Sequence, residues 1–149
     1  MTTLGQTIPA MPVRDAAAAV AFYRDRLGFE VVHQEAGFAV LRRDGAQLHL
    51  WQAGDESWRE RAALRDRPVR ERAALRDRPV SSGAESFIAG TASCRIEVEG
   101  VDGLYEELRT KEVLHQVSRE GVSETDFGSR EFATLDQDGN LISFFEWVS

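Results

Sequence analysis

The sequence holds a single cysteine, Cys94, so no intrachain disulfide can form and a disulfide-stapled scaffold is excluded. Long hydrophobic runs are missing too. The longest, around Ala16–Tyr23, has eight residues and is mostly alanine, against the roughly 20 that span a bilayer. The N-terminal "MTTLGQTIPAMPV" has neither the basic patch nor the apolar core of a secretory signal. These absences predict a cytoplasmic protein with no membrane partner. An excess of positive charge is also absent: 18 Lys and Arg against 25 Asp and Glu leave a net charge of −7. Nucleic acid is therefore a poor partner, because its phosphates would be repelled rather than neutralised. The acidity suits cationic small molecules or basic partners, though many proteins are acidic for solubility alone.

Catalytic signatures are lacking as well. There is no G-x-S-x-G elbow, phosphate-binding G-x-x-x-x-G-K-[ST] loop, G-x-G-x-x-G turn or Cys-x-x-Cys pair. The three histidines, His33, His49 and His115, are scattered. A lone histidine is more often a surface or hydrogen-bonded structural residue than a catalyst.

What is present is one domain's worth of chain: 149 residues, 42% of them apolar. "RERAALRDRPV" occurs at 59–69 and again, unchanged, at 70–80. Two identical copies of eleven residues are too short and too few for a solenoid, and read as a tandem duplication. Each copy carries four arginines and two acids. Together they hold +4 of the total of −7, which leaves −11 on the rest of the chain. Pro68 and Pro79 close the copies and disfavour an uninterrupted helix. The segment reads as a basic, solvated insert between two structured halves, and one copy should be dispensable.

The halves share a plan. In the first, "TIPAMPV" (7–13) reads as an edge strand. Asp15 caps a helix with Val20, Tyr23 and Leu27 at helical spacing, and Gly28 stops it. Strands follow at 29–35, 38–43 and 47–52, with a hairpin turn at Asp44–Gly45. In the second half, a strand at 93–100 leads to a helix capped by Asp102, then strands at 113–119, 130–136 and 141–148. The fold class is α+β: two βαβββ modules, about 6–53 and 91–149, in a single domain over 1–149 with the 59–80 insert between them. A sheet covered by one helix buries only one face, so the two sheets should pair around a shared concavity.

This doubled plan, with "FYRDRLGFEVV" near the start and "GSREFATLDQDGNLI" near the end, resembles the vicinal oxygen chelate superfamily. Within it the chain is most similar to the bleomycin resistance proteins, small dimeric drug-binding proteins. The likeness covers nearly the whole chain outside 59–80. "REFATLDQDGN" matches that branch's characteristic segment, with Gln137 where proline is usual, whereas "FY…LGF" is shared by the whole superfamily. The resemblance implies a vicinal-oxygen-chelate-type fold and a homodimer with exchanged N-terminal strands. Enzymes of the superfamily hold a metal on the first and last strands of each half, and the matching positions are Ile8, His49, Ser93 and Ser143. Only His49 is a good ligand, and one ligand does not hold a divalent ion. Glu146 cannot substitute for Ser143, since an odd spacing sends it to the other face of the strand. The expectation is a non-enzyme without metal or cofactor.

Strand alternation places Gln47, His49 and Trp51, Ser93, Arg95 and Glu97, and Leu141, Ser143 and Phe145 on the concave face. In the resembled family a planar bithiazole is held between aromatic rings and a cationic tail lies near acidic surface. The matching aromatics are Phe38 and Phe127, the latter where tryptophan is common. Phe38 fits a core position equally well, while the polar surroundings of Phe127 favour ligand contact. Trp58 and Trp147 fit a cleft or a dimer contact alike. The candidate ligand-binding set is Phe38, His49, Trp51, Arg95, Glu97, Phe127 and Phe145. The implied function is sequestration of a bleomycin-type glycopeptide antibiotic without chemistry. The competing readings are a metal-dependent dioxygenase, lyase or thiol transferase with a rearranged site, and a protein-interaction module with no small ligand.

Overall fold

The computed structural model describes residues 1–53 and 88–148. The duplicated insert and Trp58 lie outside them. In the first module, the Asp15 carboxylate accepts from the Ala18 N–H at 3.0 Å and caps helix α1 (Ala16–Leu27). Gly28 ends the helix at φ 75, a left-handed conformation that glycine adopts without a Cβ clash. Strands β2 (Glu30–Glu35), β3 (Phe38–Arg43) and β4 (Ala46–Gln52) form an antiparallel meander. Asp44 and Gly45 join β3 to β4, and Asp44 itself takes the positive φ of 50. Strand β1 (Ala10–Val13) adds in parallel to β4, with Ala10 opposite His49. The sheet order is β1-β4-β3-β2.

The second module repeats this layout. Strands β5 (Ser93–Glu97), β6 (Ser123–Glu124), β7 (Ser129–Leu135) and β8 (Leu141–Trp147) lie in the order β5-β8-β7-β6, with β5 parallel to β8. Helix α2 (Val101–Leu108) stands where α1 stands in the first module. On β4, Leu48 and Leu50 are fully buried, and on β8 Ile142 and Phe144 are buried, while their alternate neighbours are only partly covered. That period of two is what a sheet with one covered face requires. The alternating apolar residues of both modules join in one buried cluster, from Met11, Tyr23 and Leu48 to Leu108, Phe132 and Ile142.

Three local expectations need correction. The strand expected over 7–13 begins at Ala10, although the Pro9 carbonyl already accepts from the His49 N–H at 3.0 Å. The strand expected over 113–119 stops early. His115 N–H donates to Ala133 O at 2.9 Å, and then Gln116–Ser118 winds into a 3-10 turn. The cause is side-chain competition for backbone groups. His115 Nδ1 accepts from Val117 N–H at 3.1 Å, and Ser118 Oγ takes the Ala133 N–H at 2.8 Å in place of a strand carbonyl. The short β6 then occupies the sheet's outer position. Third, Asp102 does not cap α2. Gly100 holds the cap position at φ 88 without a side-chain acceptor. Instead Glu146, reaching over from β8, accepts from the Gly100 and Val101 N–H groups at 2.9 and 3.1 Å. These two donors hold the Glu146 carboxyl below its ordinary range. Asp102 turns outward and makes a two-pronged ion pair with Arg130.

The "DQDGN" turn between β7 and β8 ties the modules together. Asp136, buried, accepts from the Tyr23 hydroxyl of α1 at 2.7 Å and from the Asn140 side chain at 2.8 Å. Asn140 also donates to Pro12 O at 2.9 Å, while its own Oδ1 accepts from Ala92 N–H at 3.0 Å. Gly90 is packed so closely here that a Cβ would lie 1.9 Å from Asp138 O. A second tie is Arg43 on β3, which donates to Leu27 O and forks onto Glu107 of α2, all at 2.8 Å. The carboxylates of the terminal segment thus build the seam between modules.

Candidate functional site

The faces of the two sheets turned away from α1 and α2 carry two aromatic groups. On the first sheet, Phe38 sits directly across from Trp51, with ring centroids 4.3 Å apart and planes tilted by 42°. His49 stands at 90° to the Phe38 ring, 5.5 Å away, and engages the Gln47 amide at 3.2 Å. The Trp51 indole Nε1 is buried and has no hydrogen-bond acceptor among the described residues. Phe38, the position that fitted core or ligand equally, is half-buried and belongs to this face rather than to the core cluster.

On the second sheet, the Arg95 guanidinium lies over the Phe145 ring at 4.7 Å and near Phe127 at 5.9 Å. It is held there by Glu131, which accepts from Nη2 at 2.7 Å. Trp147 packs edge-on against Phe145 and Phe127, at 5.3 and 6.3 Å. Phe127 and Trp147 are 63% and 54% exposed, so a large aromatic surface faces outward with a cation already seated on it. Glu131 was not among the sequence candidates. The signal that finds it is antiparallel pairing: Glu131 is the cross-strand partner of Phe145 and shares its face.

The structure thus brings Phe38, His49 and Trp51 together, and separately Arg95, Phe127 and Phe145. No ring–ring contact among the described residues joins the two groups within one chain. Glu97, exposed on β5, joins Arg95, Gln47 and Ile8 along a cavity of about 1080 Å³ bounded by the β3–β4 turn and α2. That cavity and the aromatic faces are different places that meet at Gln47 and Arg95. The cavity's own rings, Phe29 and Phe144, are buried core residues, so the aromatic faces are the better candidate for recognising a flat ligand.

Of the four positions that the resemblance assigns to metal ligands, Ile8 lies before β1, His49 on β4, Ser93 at the start of β5 and Ser143 on β8. Among the described residues no group of three or more His, Cys, Asp or Glu is placed to hold a metal ion. His115 acts as the local turn cap already described, and His33 is an exposed residue 3.7 Å from Glu35. Cys94 faces the core, and burial pushes its thiol up to about 11. No helix of the described residues is long and apolar enough to cross a membrane.

A family model for the glyoxalase/bleomycin resistance protein/dioxygenase superfamily matches residues 4–144. The chain belongs to this superfamily. It is 47% identical over 143 residues to a bleomycin resistance protein of Geobacillus stearothermophilus, covering 96% of this chain and 97% of the relative. The figures are the same for a bleomycin resistance protein of Staphylococcus aureus strain MRSA252. Among solved structures, the bleomycin-binding protein of bleomycin-producing Streptomyces verticillus, complexed with copper(II)-bleomycin, superposes with a TM-score of 0.66. It is 26% identical and covers 97% of both chains. The α+β fold of paired four-stranded sheets is therefore that of the bleomycin-binding proteins, as the sequence resemblance implied.

Proposed function

We propose that this protein binds a bleomycin-type glycopeptide antibiotic stoichiometrically and confers resistance by sequestering it, with no chemical step. The observation that carries this reading is the pair of aromatic groups on the sheet faces turned away from the core, Phe38 with Trp51 and Phe127 with Phe145 and Trp147. The 47% identical relatives that bear the name bleomycin resistance protein support it. Flat heterocycles stack on such rings at about 1–3 kcal/mol per ring. Phe38, His49 and Trp51 form one wall of the proposed cleft; Arg95, Phe127 and Phe145 form the other, with Glu97 at its rim. Because the two groups make no mutual contact within a chain, the proposed working unit is a homodimer in which one chain's first sheet faces its partner's second.

The metal centre found in enzymes of the superfamily does not fit these residues. Isoleucine cannot ligate, and Ser93 and Ser143 offer only hydroxyls beside the one imidazole of His49.

The reading is tested by titrating the purified protein with bleomycin, metal-free and copper-loaded, by calorimetry and tryptophan fluorescence. Saturable binding with a fixed stoichiometry is expected. Absence of binding to both forms would remove the sequestering function while leaving the family intact.

A further inference from the structure

We infer that Arg95 makes the second wall a cationic platform that selects an uncharged, electron-rich heteroaromatic ring of the ligand, and that Glu131 is the residue positioning it. This rests on the antibiotic-binding reading above and gives the chemical class of ring that this wall takes.

Arg95 on β5 and Glu131 on β7 are not on neighbouring strands. β8 runs between them, and its Phe145 is the cross-strand partner of Glu131. To meet Glu131 Oε2 at 2.7 Å, the Arg95 guanidinium crosses β8 over the Phe145 ring, 4.7 Å from its centre. The carboxylate thus draws a long, flexible side chain along the sheet, where by itself it would extend into water. Holding the strands together does not account for the pair. Backbone ladders already join β5 to β8 and β8 to β7, and an exposed ion pair adds little stability. Its effect is on the surface. The Arg95 side chain is 43% exposed, and among the described residues Glu131 engages only its Nη2. An incoming ligand therefore meets a guanidinium where the sequence alone promises the face of Phe145. A guanidinium stacks on aromatic faces by attraction to their π electrons, and its remaining N–H groups reach acceptors at the ring's edge. A ring carrying positive charge is repelled from the same place.

The test is a double-mutant cycle. Metal-free bleomycin is titrated calorimetrically against wild type, Arg95→Gln, Arg95→Lys, Glu131→Gln and the Arg95→Gln/Glu131→Gln double variant. Long-range charge alone makes removal of Arg95 favourable to a cationic ligand; the inference requires the opposite sign. Arg95→Gln should weaken binding about three- to thirtyfold, the worth of a cation–π contact from exposed to desolvated. Arg95→Lys keeps the charge but loses the planar fork, and should be weakened nearly as much. Glu131→Gln should weaken binding in the wild type and cost nothing further in the Arg95→Gln background, because it acts through Arg95. Urea midpoints should stay close to wild type throughout. Equal or tighter binding by Arg95→Gln would overturn the inference, as would wild-type affinity in Arg95→Lys. A Glu131→Gln loss that persists in the Arg95→Gln background would overturn the positioning role, and a large fall in the urea midpoint would show that the pair serves the fold instead. Failure of the wild type to bind bleomycin would take the antibiotic reading and this inference down together.

Discussion

The Tyr23 hydroxyl on α1 donates to Asp136 Oδ2, 113 positions later in the chain, at 2.7 Å in the buried seam between the modules. Burial, reinforced by the Asp136 carboxylate, raises the phenol's pKa well above its ordinary value. The folded pKa thus exceeds the unfolded one, near 10. The contribution is complete below about pH 10 and declines as pH rises toward the folded value. Tyr23→Phe should lower stability at pH 7 by about 1–3 kcal/mol, since it strips a donor from a buried carboxylate. Urea unfolding from pH 7 to 11 should show the wild type losing part of that margin at the alkaline end. A variant as stable as wild type at pH 7 would mean that the Asn140 and backbone donors to Asp136 suffice.

The Glu146 cap gives a prediction of opposite sign. Its folded pKa is depressed by the Gly100 and Val101 N–H groups, so its contribution is present above the unfolded value, about 4.3, and is lost as pH falls through the folded one. Glu146→Ala should lower the melting temperature at pH 7, with the gap to wild type closing below about pH 4. Asp102→Ala should do much less, because Asp102 holds an exposed ion pair with Arg130 and not the helix end. Equal melting temperatures for wild type and Glu146→Ala at pH 7 would show that the α2 terminus needs no acceptor.

These two residues also mark what was legible in the sequence. The first module could be read almost completely, because its signals are local: Asp15 one residue before the helix, Gly28 one after it, and Asp44–Gly45 between alternating strands. The second module hid its long-range substitutions. Nothing near Asp102 announces that a glutamate 44 positions later, Glu146, caps the helix, although the alternation of β8 correctly sent it to the face opposite Ser143. "VLHQVSR" reads as a strand, but Ser118 and His115 capture backbone N–H groups and turn the chain. The acidic terminal turn is a clasp between the modules, which no local signal announces. Side-chain faces followed from the period of two; Glu131 became visible only once β7 and β8 were set in register.

Cys94 should be nearly inert. Burial and the nearby Asp136 charge push its thiol to about 11, so the thiolate is scarce at neutral pH. Reaction with a disulfide reagent at pH 8 should run about a hundredfold or more slower in the native protein than in urea, where the thiol titrates near 8.5. A native rate close to the unfolded one would contradict the packing assigned to β5.

The sharpest separation of recognition from folding is at Phe127. Its ring is 63% exposed, and Arg95 beside it is also held by Phe145 and Glu131. Phe127→Ala should therefore leave the unfolding transition nearly in place. If the ring stacks on the proposed ligand, bleomycin affinity should fall by about 1–3 kcal/mol. The control is Phe132, which is 2% exposed and stacks on Phe144 at 5.4 Å. Phe132→Ala should cost about 3–5 kcal/mol of stability. Charge contributes separately: with a net −7 on the chain, part of the attraction for a cationic ligand acts through solvent. Affinity should then drop with added salt in wild type and Phe127→Ala alike, as screening shortens the range to about 8–10 Å. Two parallel salt curves, offset by the stacking loss, are the expected calorimetric result; curves that coincide would remove Phe127 from the cleft.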